Sequence, residues 1–254
     1  MTNINKNLNL KGEISLITGA TRGIGKSIAE VFARAGSTVI GTATTKEGAE
    51  IISTRLSDAG LKGRGVVLDI SQSEQISSQI KELKKSDLMP SILVNNAGIS
   101  LESLLMRIKE DDWEKMISTN LSSAFFLCKA VIGTMLKKRH GRIINIGSIQ
   151  GTTGAIGHAH YSAAKAGLVG LTKSLAREVG SRGITVNTIA PGYIITDMTK
   201  DIGDEINESL LKQIPLDRFG EPIDIANAAL FLASSSGSYI TGETIHINGG
   251  MHMS

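Results

Sequence analysis

A chain of 254 residues with 41% hydrophobic and 20% charged residues can bury a large core and is too apolar to remain disordered. A formal net charge of +3 and an aromatic share of 4% exclude a surface devoted to nucleic acid, so an electrostatic partner must use a local patch. The single cysteine, Cys128, excludes a disulfide framework and a cysteine-rich metal site, and no cluster of ligands has zinc-like spacing.

The first eleven residues are polar and rich in asparagine, without the apolar core of a signal peptide or membrane anchor. The expected setting is therefore the cytoplasm, with no membrane. Beyond them, short runs rich in valine and isoleucine alternate with longer amphipathic stretches. Strands are expected at 13–18, 38–42, 65–69, 92–95, 142–147, 184–190 and 244–248. The clearest helices are expected at 24–35, 73–85, 113–138, 161–179 and 221–233, where apolar residues recur at three- and four-residue spacing. This alternation predicts one α/β domain over 1–254, a doubly wound Rossmann-type parallel sheet of about seven strands covered by helices on both faces. One segment, 192–215, breaks the regularity with a weakly amphipathic, charged stretch. It follows a strand's carboxyl end, where either a substrate lid or an ordinary surface helix pair would fit.

Between the first strand and first helix lies Thr18-Gly19-Ala20-Thr21-Arg22-Gly23-Ile24-Gly25. Bare amides and a helix dipole at that place suit a pyrophosphate, with Gly19, Ala20, Thr21, Arg22 and Ile24 around it. The spacing departs from the Gly-x-Gly-x-x-Gly fingerprint, and it lacks a Walker loop's register, so a dinucleotide fits better than a nucleoside triphosphate. At the end of the second strand, Gly41-Thr42-Ala43-Thr44-Thr45 holds no acid to accept a ribose 2′-hydroxyl, while Arg22 offers a guanidinium suited to a 2′-phosphate. NADP(H) is the cofactor expected. A solvated surface cation is the plain alternative for Arg22.

Tyr161 and Lys165 stand four residues apart, on one face of any helix containing both, and Ser148 ends an apolar run thirteen residues before the tyrosine. A phenol of ordinary pKa about 10 is a poor acid near neutrality, and a neighbouring ammonium would lower it. A hydroxyl from elsewhere in the chain is free to complete such a site, and a reaction follows only with a cofactor beside it. His158 and His160 flank the site in a glycine-rich loop, where exposed or loop-stabilising roles are expected rather than catalysis.

Thr18 to Gly25, Asn95-Asn96-Ala97-Gly98, Asn120, Ser148, Tyr161-x-x-x-Lys165 and Pro191-Gly192 together resemble the short-chain dehydrogenase/reductase family along the whole chain. Lys137-Lys138-Arg139-His140-Gly141-Arg142, Ile240-Thr241-Gly242-Glu243-Thr244 and Asn248-Gly249-Gly250-Met251 resemble its branch of bacterial reductases of 3-oxoacyl chains borne by acyl carrier protein. That resemblance implies NADPH-dependent ketone reduction in fatty acid biosynthesis, with Ser148, Tyr161, Lys165 and Asn120 catalytic. It implies that Lys165 binds the nicotinamide ribose and Asn120 serves a water relay behind the lysine. Around the cofactor it places Thr44, Asp69, Ile70 and Asn96 on the adenosine side, and Ile194 and Thr196 at the nicotinamide and phosphates. It also implies a homotetramer.

The basic cluster Lys137, Lys138, Arg139 and Arg142, with Arg182, is either a solvated helix end or a docking patch for an acidic carrier protein, and the resemblance favours docking through Arg139 and Arg182. The alternatives are a reductase of a coenzyme A thioester, sugar or steroid ketone, and a non-catalytic NADP-binding scaffold. Neither calls for a different fold.

Overall fold

The computed structural model describes residues 7–196 and 204–253, the side chains of 204–207 excepted. Seven strands, β1 (Ile14–Ile17), β2 (Thr38–Ala43), β3 (Gly63–Val67), β4 (Ile92–Asn95), β5 (Gly141–Ile146), β6 (Ile184–Pro191) and β7 (Thr244–Ile247), form one sheet in the order β3-β2-β1-β4-β5-β6-β7. Every pairing is parallel. The chain order reverses between β1 and β4, which opens a crevice at their carboxyl ends.

Strand residues alternate between two buried faces, which is why their sequence reads as continuous apolar runs rather than a polar alternation. Ile17, Val39, Val94 and Ile144 join one core with Ile28 and Phe32 of α1 (Gly23–Arg34), Ile52 of α2 (Lys46–Asp58) and Leu232 of the late helix Pro222–Ala233. Their neighbours Leu16, Ile40, Leu93 and Ile143 join the other, with Ile80 of α3 (Ser73–Lys85) and Val131. Each such fully buried side chain contributes about 1.5–3 kcal/mol.

Three elements differ from expectation. Helix α2 was not among the helices expected; Ala49, Ile52 and Leu56 mark its buried face, and Thr45 caps it by accepting from Gly48 N at 3.1 Å. Strand β3 begins two residues before the predicted start, because Gly63 at φ +156° pairs with Val39 where a Cβ would lie 2.4 Å from the Val39 carbonyl oxygen. The expected helix over 113–138 is two helices, α4 (Glu110–Ile117) and α5 (Ser123–Lys138), joined by a π-turn at Ser118–Ser122. By length and hydropathy 110–138 could cross a membrane, but Met116, Leu127, Val131 and Met135 are buried in the domain.

Beyond β5 lie a short helix α6 (Gln150–Thr153) and the long α7 (Ala159–Val179), followed past β6 by α8 (Asp204–Leu211) and α9 (Pro222–Ala233). The expected lid 192–215 thus contains α8, while 197–203 lies outside the described residues, as do residues 1–6 of the polar start. The lid's ends are tied down. Ile195 N donates to Gly220 O at 2.9 Å, and Leu216 N donates to Gly249 O at 3.1 Å.

Candidate active site

The glycine turn leaves β1 at Thr18 and enters α1 at Gly23. Its shape follows from glycine at two points. Gly19 adopts φ +66°, which side chains resist, and a Cβ on Gly25 would lie 2.2 Å from the Gly19 carbonyl oxygen. Thr18 joins this turn to the end of β4, its hydroxyl accepting from Asn96 N and Ala97 N at 2.9 Å each. The side-chain amide of Asn96 donates to Thr18 O at 2.8 Å and Gly19 O at 3.2 Å. Asn96 therefore shapes the turn, and its amide is already engaged within the protein.

Helix α1 has no acidic residue in its first turn and no side-chain cap, so the positive end of its dipole is left to an outside anion. A turn with no room for a Cβ at Gly19 or Gly25, beside an uncompensated helix start, fits a dinucleotide phosphate. Arg22 is exposed at the N-cap position. Thr44 is exposed at the end of β2, and Lys46 and Glu47 open α2 just beyond it, so the sequence supplies a second cation and one acid there. Thr196 comes over the turn, its Cγ2 lying 3.4 Å from where a Cβ on Gly23 would be.

Ile194 is buried and bridged to Gly220. Ile24 is half-buried and packs on the core beneath the turn. Ile70 is buried beyond β3, while Asp69 Oδ1 accepts from Ser71 N at 3.0 Å and Ser71 Oγ at 2.7 Å. The carboxylate thereby holds its own loop past the carboxyl end of β3.

The expected catalytic residues Ser148, Tyr161 and Lys165 gather past the carboxyl end of β5. Ser148 lies there, its Oγ accepting from Gln150 N at 3.1 Å as α6 begins. Tyr161 and Lys165 sit in the first two turns of α7, with the ammonium 5.6 Å from the centre of the phenol ring. Lys165 is 5% exposed, and its Nζ donates to Ile146 O at 2.8 Å. Burial pulls the lysine down to about 8 from its ordinary 10.5.

Burial raises the Tyr161 phenol above its ordinary value, and the hydrogen bond with Ser148 acts in the opposite direction.

Asn120 lies in the π-turn. The π-turn sets it facing the β4 loop, where its Oδ1 accepts from Ile99 N at 2.8 Å and its Nδ2 donates to Ile99 O at 2.8 Å. A Cβ on Gly98 would lie 2.8 Å from Asn120 Oδ1 and 3.7 Å from Lys165 Nζ, so glycine lets these groups converge. The side chain of Asn120 thereby clamps Ile99 to the π-turn. Motif spacing could not show that both ends of the amide were engaged.

A polar chain behind the site had no sequence signal. Asn95 Nδ2 donates to Asn145 Oδ1, Asn145 Nδ2 donates to Thr172 Oγ1, and Thr172 meets Thr188, each at 2.8 Å. It ties β4, β5, β6 and α7 together beneath the reacting groups. Of the two flanking histidines, His158 turns its ring edge toward Tyr161, with centroids 6.1 Å apart. His160, expected to be exposed or to stabilise the loop, is instead fully buried in the first turn of α7.

Arg139 and Arg182 precede β5 and β6, at the sheet's amino edge, whereas Ser148 lies beyond the carboxyl end of β5. Crossing from Arg139 to Ser148 along an extended strand takes roughly 30 Å. Arg139 caps α5 in the left-handed region at φ +49° and donates to Ser181 O at 2.9 Å. Arg142 leaves the basic cluster altogether: it is buried and donates to Gly141 O at 2.9 Å.

Residues 19–252 match the family profile described as Enoyl-(Acyl carrier protein) reductase. The chain is 54% identical to the 3-oxoacyl-[acyl-carrier-protein] reductase FabG of Vibrio cholerae serotype O1 over 246 residues, 97% of this chain and 100% of that protein. To the protein of the same name from Escherichia coli K12 it is 53% identical over the same shares. A crystal structure from Agrobacterium tumefaciens, assigned as a candidate gluconate dehydrogenase, superposes with a TM-score of 0.95 at 31% identity, covering 96% of this chain and 98% of that one. With the parallel sheet, the glycine turn and the Ser148, Tyr161 and Lys165 cluster in place, the chain belongs to the short-chain dehydrogenase/reductase family.

Proposed function

We propose that this protein reduces the ketone of 3-oxoacyl-[acyl-carrier-protein] to the 3-hydroxyacyl form in fatty acid biosynthesis, using NADPH. The observation that carries it is the meeting of Ser148, Tyr161 and Lys165 at the carboxyl edge of the sheet that holds the glycine turn. Full-length relatives named for that reaction supply the substrate class.

When bound, the nicotinamide supplies the hydride. Gly19, Ala20, Thr21 and Arg22 would hold the phosphates, with Arg22 and Thr44 at the 2′-phosphate and Asp69 and Ile70 toward the adenine. Ser148 donates a hydrogen bond to the ketone oxygen, and Tyr161 passes its phenolic proton to that oxygen as negative charge develops. Lys165 is charged below pH about 8, and its positive charge opposes the cost of leaving a phenolate in a buried site. Ile194 and Thr196 would fix the nicotinamide end, and 192–215 would close over the acyl chain.

The cytoplasm as compartment and a homotetramer as assembly belong to the same proposal. Docking of carrier protein on Arg139 and Arg182 would occupy the edge remote from this chain's Tyr161, so the acyl chain would enter the site of another copy.

An NADPH oxidation assay with one 3-oxoacyl group on carrier protein, on coenzyme A and on a small thiol tests the substrate. The expected order of kcat/KM places carrier protein first; equal values on all three would refute carrier recognition. Arg22→Ala should raise the KM for NADPH and leave that for NADH nearly unchanged. Equal use of both nucleotides by the wild-type protein would overturn the cofactor assignment.

A further inference from the structure

The outer side of the phosphate turn is held by a guanidinium. Arg55, on the last turn of α2, donates from Nη1 to Thr21 O at 3.1 Å and from Nη2 to Ala20 O at 2.7 Å. Its third nitrogen, Nε, lies 3.2 Å from Glu30 Oε1 on α1. The arginine side chain is 19% exposed and the glutamate 30%, so the pair is partly shielded from water. Gly48, on the same helix, lets it approach: a Cβ there would come within 3.1 Å of Thr21 Cγ2.

The two carbonyls gripped by Arg55 are the far ends of two peptide units. In a planar trans peptide the C=O and the following N–H point in opposite directions. Fixing Ala20 O therefore aims the Thr21 amide away from Arg55, and fixing Thr21 O aims the Arg22 amide likewise. Neither amide donates a hydrogen bond within the chain among the described residues. Two donors so aligned form an anion-binding nest, and they lie on the side of the turn opposite the guanidinium.

We propose that Arg55 is a positioning residue for the cofactor: its fork locks the Ala20 and Thr21 peptides so that the amides of Thr21 and Arg22 are oriented toward a dinucleotide phosphate before it arrives. The arginine acts through the turn and touches no reacting atom. Holding the donors in place beforehand removes an ordering cost that binding would otherwise meet. This inference rests on the assignment of the glycine turn to NADPH.

The test is a fluorescence titration of NADPH into wild-type protein, Arg55→Met and Arg55→Lys, together with steady-state rates and thermal unfolding without nucleotide. Arg55→Met should raise the Kd for NADPH about tenfold, as expected from a lost orienting contact. The kcat at saturating NADPH, the KM for the acyl substrate and the unfolding midpoint should stay near wild type. Arg55→Lys, which can hold one carbonyl, should recover part of the affinity.

An undiminished affinity in Arg55→Met, beside normal binding by the wild type, would refute the clamp alone. Parallel losses in kcat, acyl KM and unfolding midpoint would also overturn it, by showing general damage. A wild-type protein that does not bind NADPH would instead bring down the cofactor assignment on which the inference stands.

Discussion

The two edges of this sheet carry ionisable and hydroxyl groups of similar kinds and treat them in opposite ways. At the amino edge, Glu13 takes hydrogen bonds from Ser91 and from His140 Nε2, the latter at 3.0 Å, while the guanidinium of the buried Arg142 rests on the Gly141 carbonyl. At the carboxyl edge, Lys165 has, among the described residues, only the carbonyl of Ile146 at 2.8 Å and no carboxylate, and the half-buried Tyr161 has its pKa raised. Groups that satisfy one another hold structure. Groups shielded from water without a countercharge retain proton-transfer capacity, which is what the proposed reaction asks of the carboxyl edge.

The largest test of this contrast is Tyr161→Phe. Removing the hydroxyl should cut the reduction rate on the order of 10²–10⁴-fold. Affinity for NADPH, read by fluorescence titration, should remain close to wild type. A variant turning over within threefold of wild type would place the proton donor elsewhere.

Lys165 gives a smaller effect with a defined sign. Its folded pKa of about 8 lies below the ordinary 10.5, so between these values the unfolded chain binds a proton that the folded chain does not. Stability should therefore rise with pH across that window, while reduction slows as the site loses its positive charge. A pH series of kcat/KM and of urea midpoints measures both trends. Lys165→Met should remove the window in stability and lower activity, without lowering the midpoint at pH 7. A flat rate profile from pH 7 to pH 10 would break the assignment of the lysine's charge.

The amino edge should give the smallest response, and no response in catalysis. The His140 hydrogen bond is the main cause holding the Glu13 carboxyl below its ordinary value, with burial opposing it and Ser91 assisting. Because this carboxylate pKa is depressed, its stabilisation is present above the ordinary carboxylate range and is lost as pH falls through the folded value. Glu13→Gln should cost about 1 kcal/mol or less at pH 7, since the group is partly exposed to solvent. The difference from wild type should vanish in acid, and kcat should not change. A variant impaired in kcat would mean that the two edges are coupled.

Much of the scaffold was legible because strands buried on both faces leave short runs rich in Val, Ile and Leu, as at Ile92–Asn95 and Gly141–Ile146. Helix α2 was harder to read because only Ala49, Ile52 and Leu56 of its thirteen residues are buried. The π-turn at Asn120 was invisible because it depends on a partner, Ile99, twenty-one residues away. For the same reason the basic cluster misled: Arg142 reads as a surface cation but lies beneath Gly183 and Gly141.

The sequence by itself determined the parallel sheet, the glycine turn and the four-residue spacing of Tyr161 and Lys165, since all three are properties of local periodicity and residue type. Only the tertiary structure decided which edge of the sheet each charge occupies, that the lysine is lowered to about 8, and that Arg55 grips the turn from α2. Desolvation and long-range hydrogen bonds depend on what folds against a residue, and nothing in its immediate sequence fixes that.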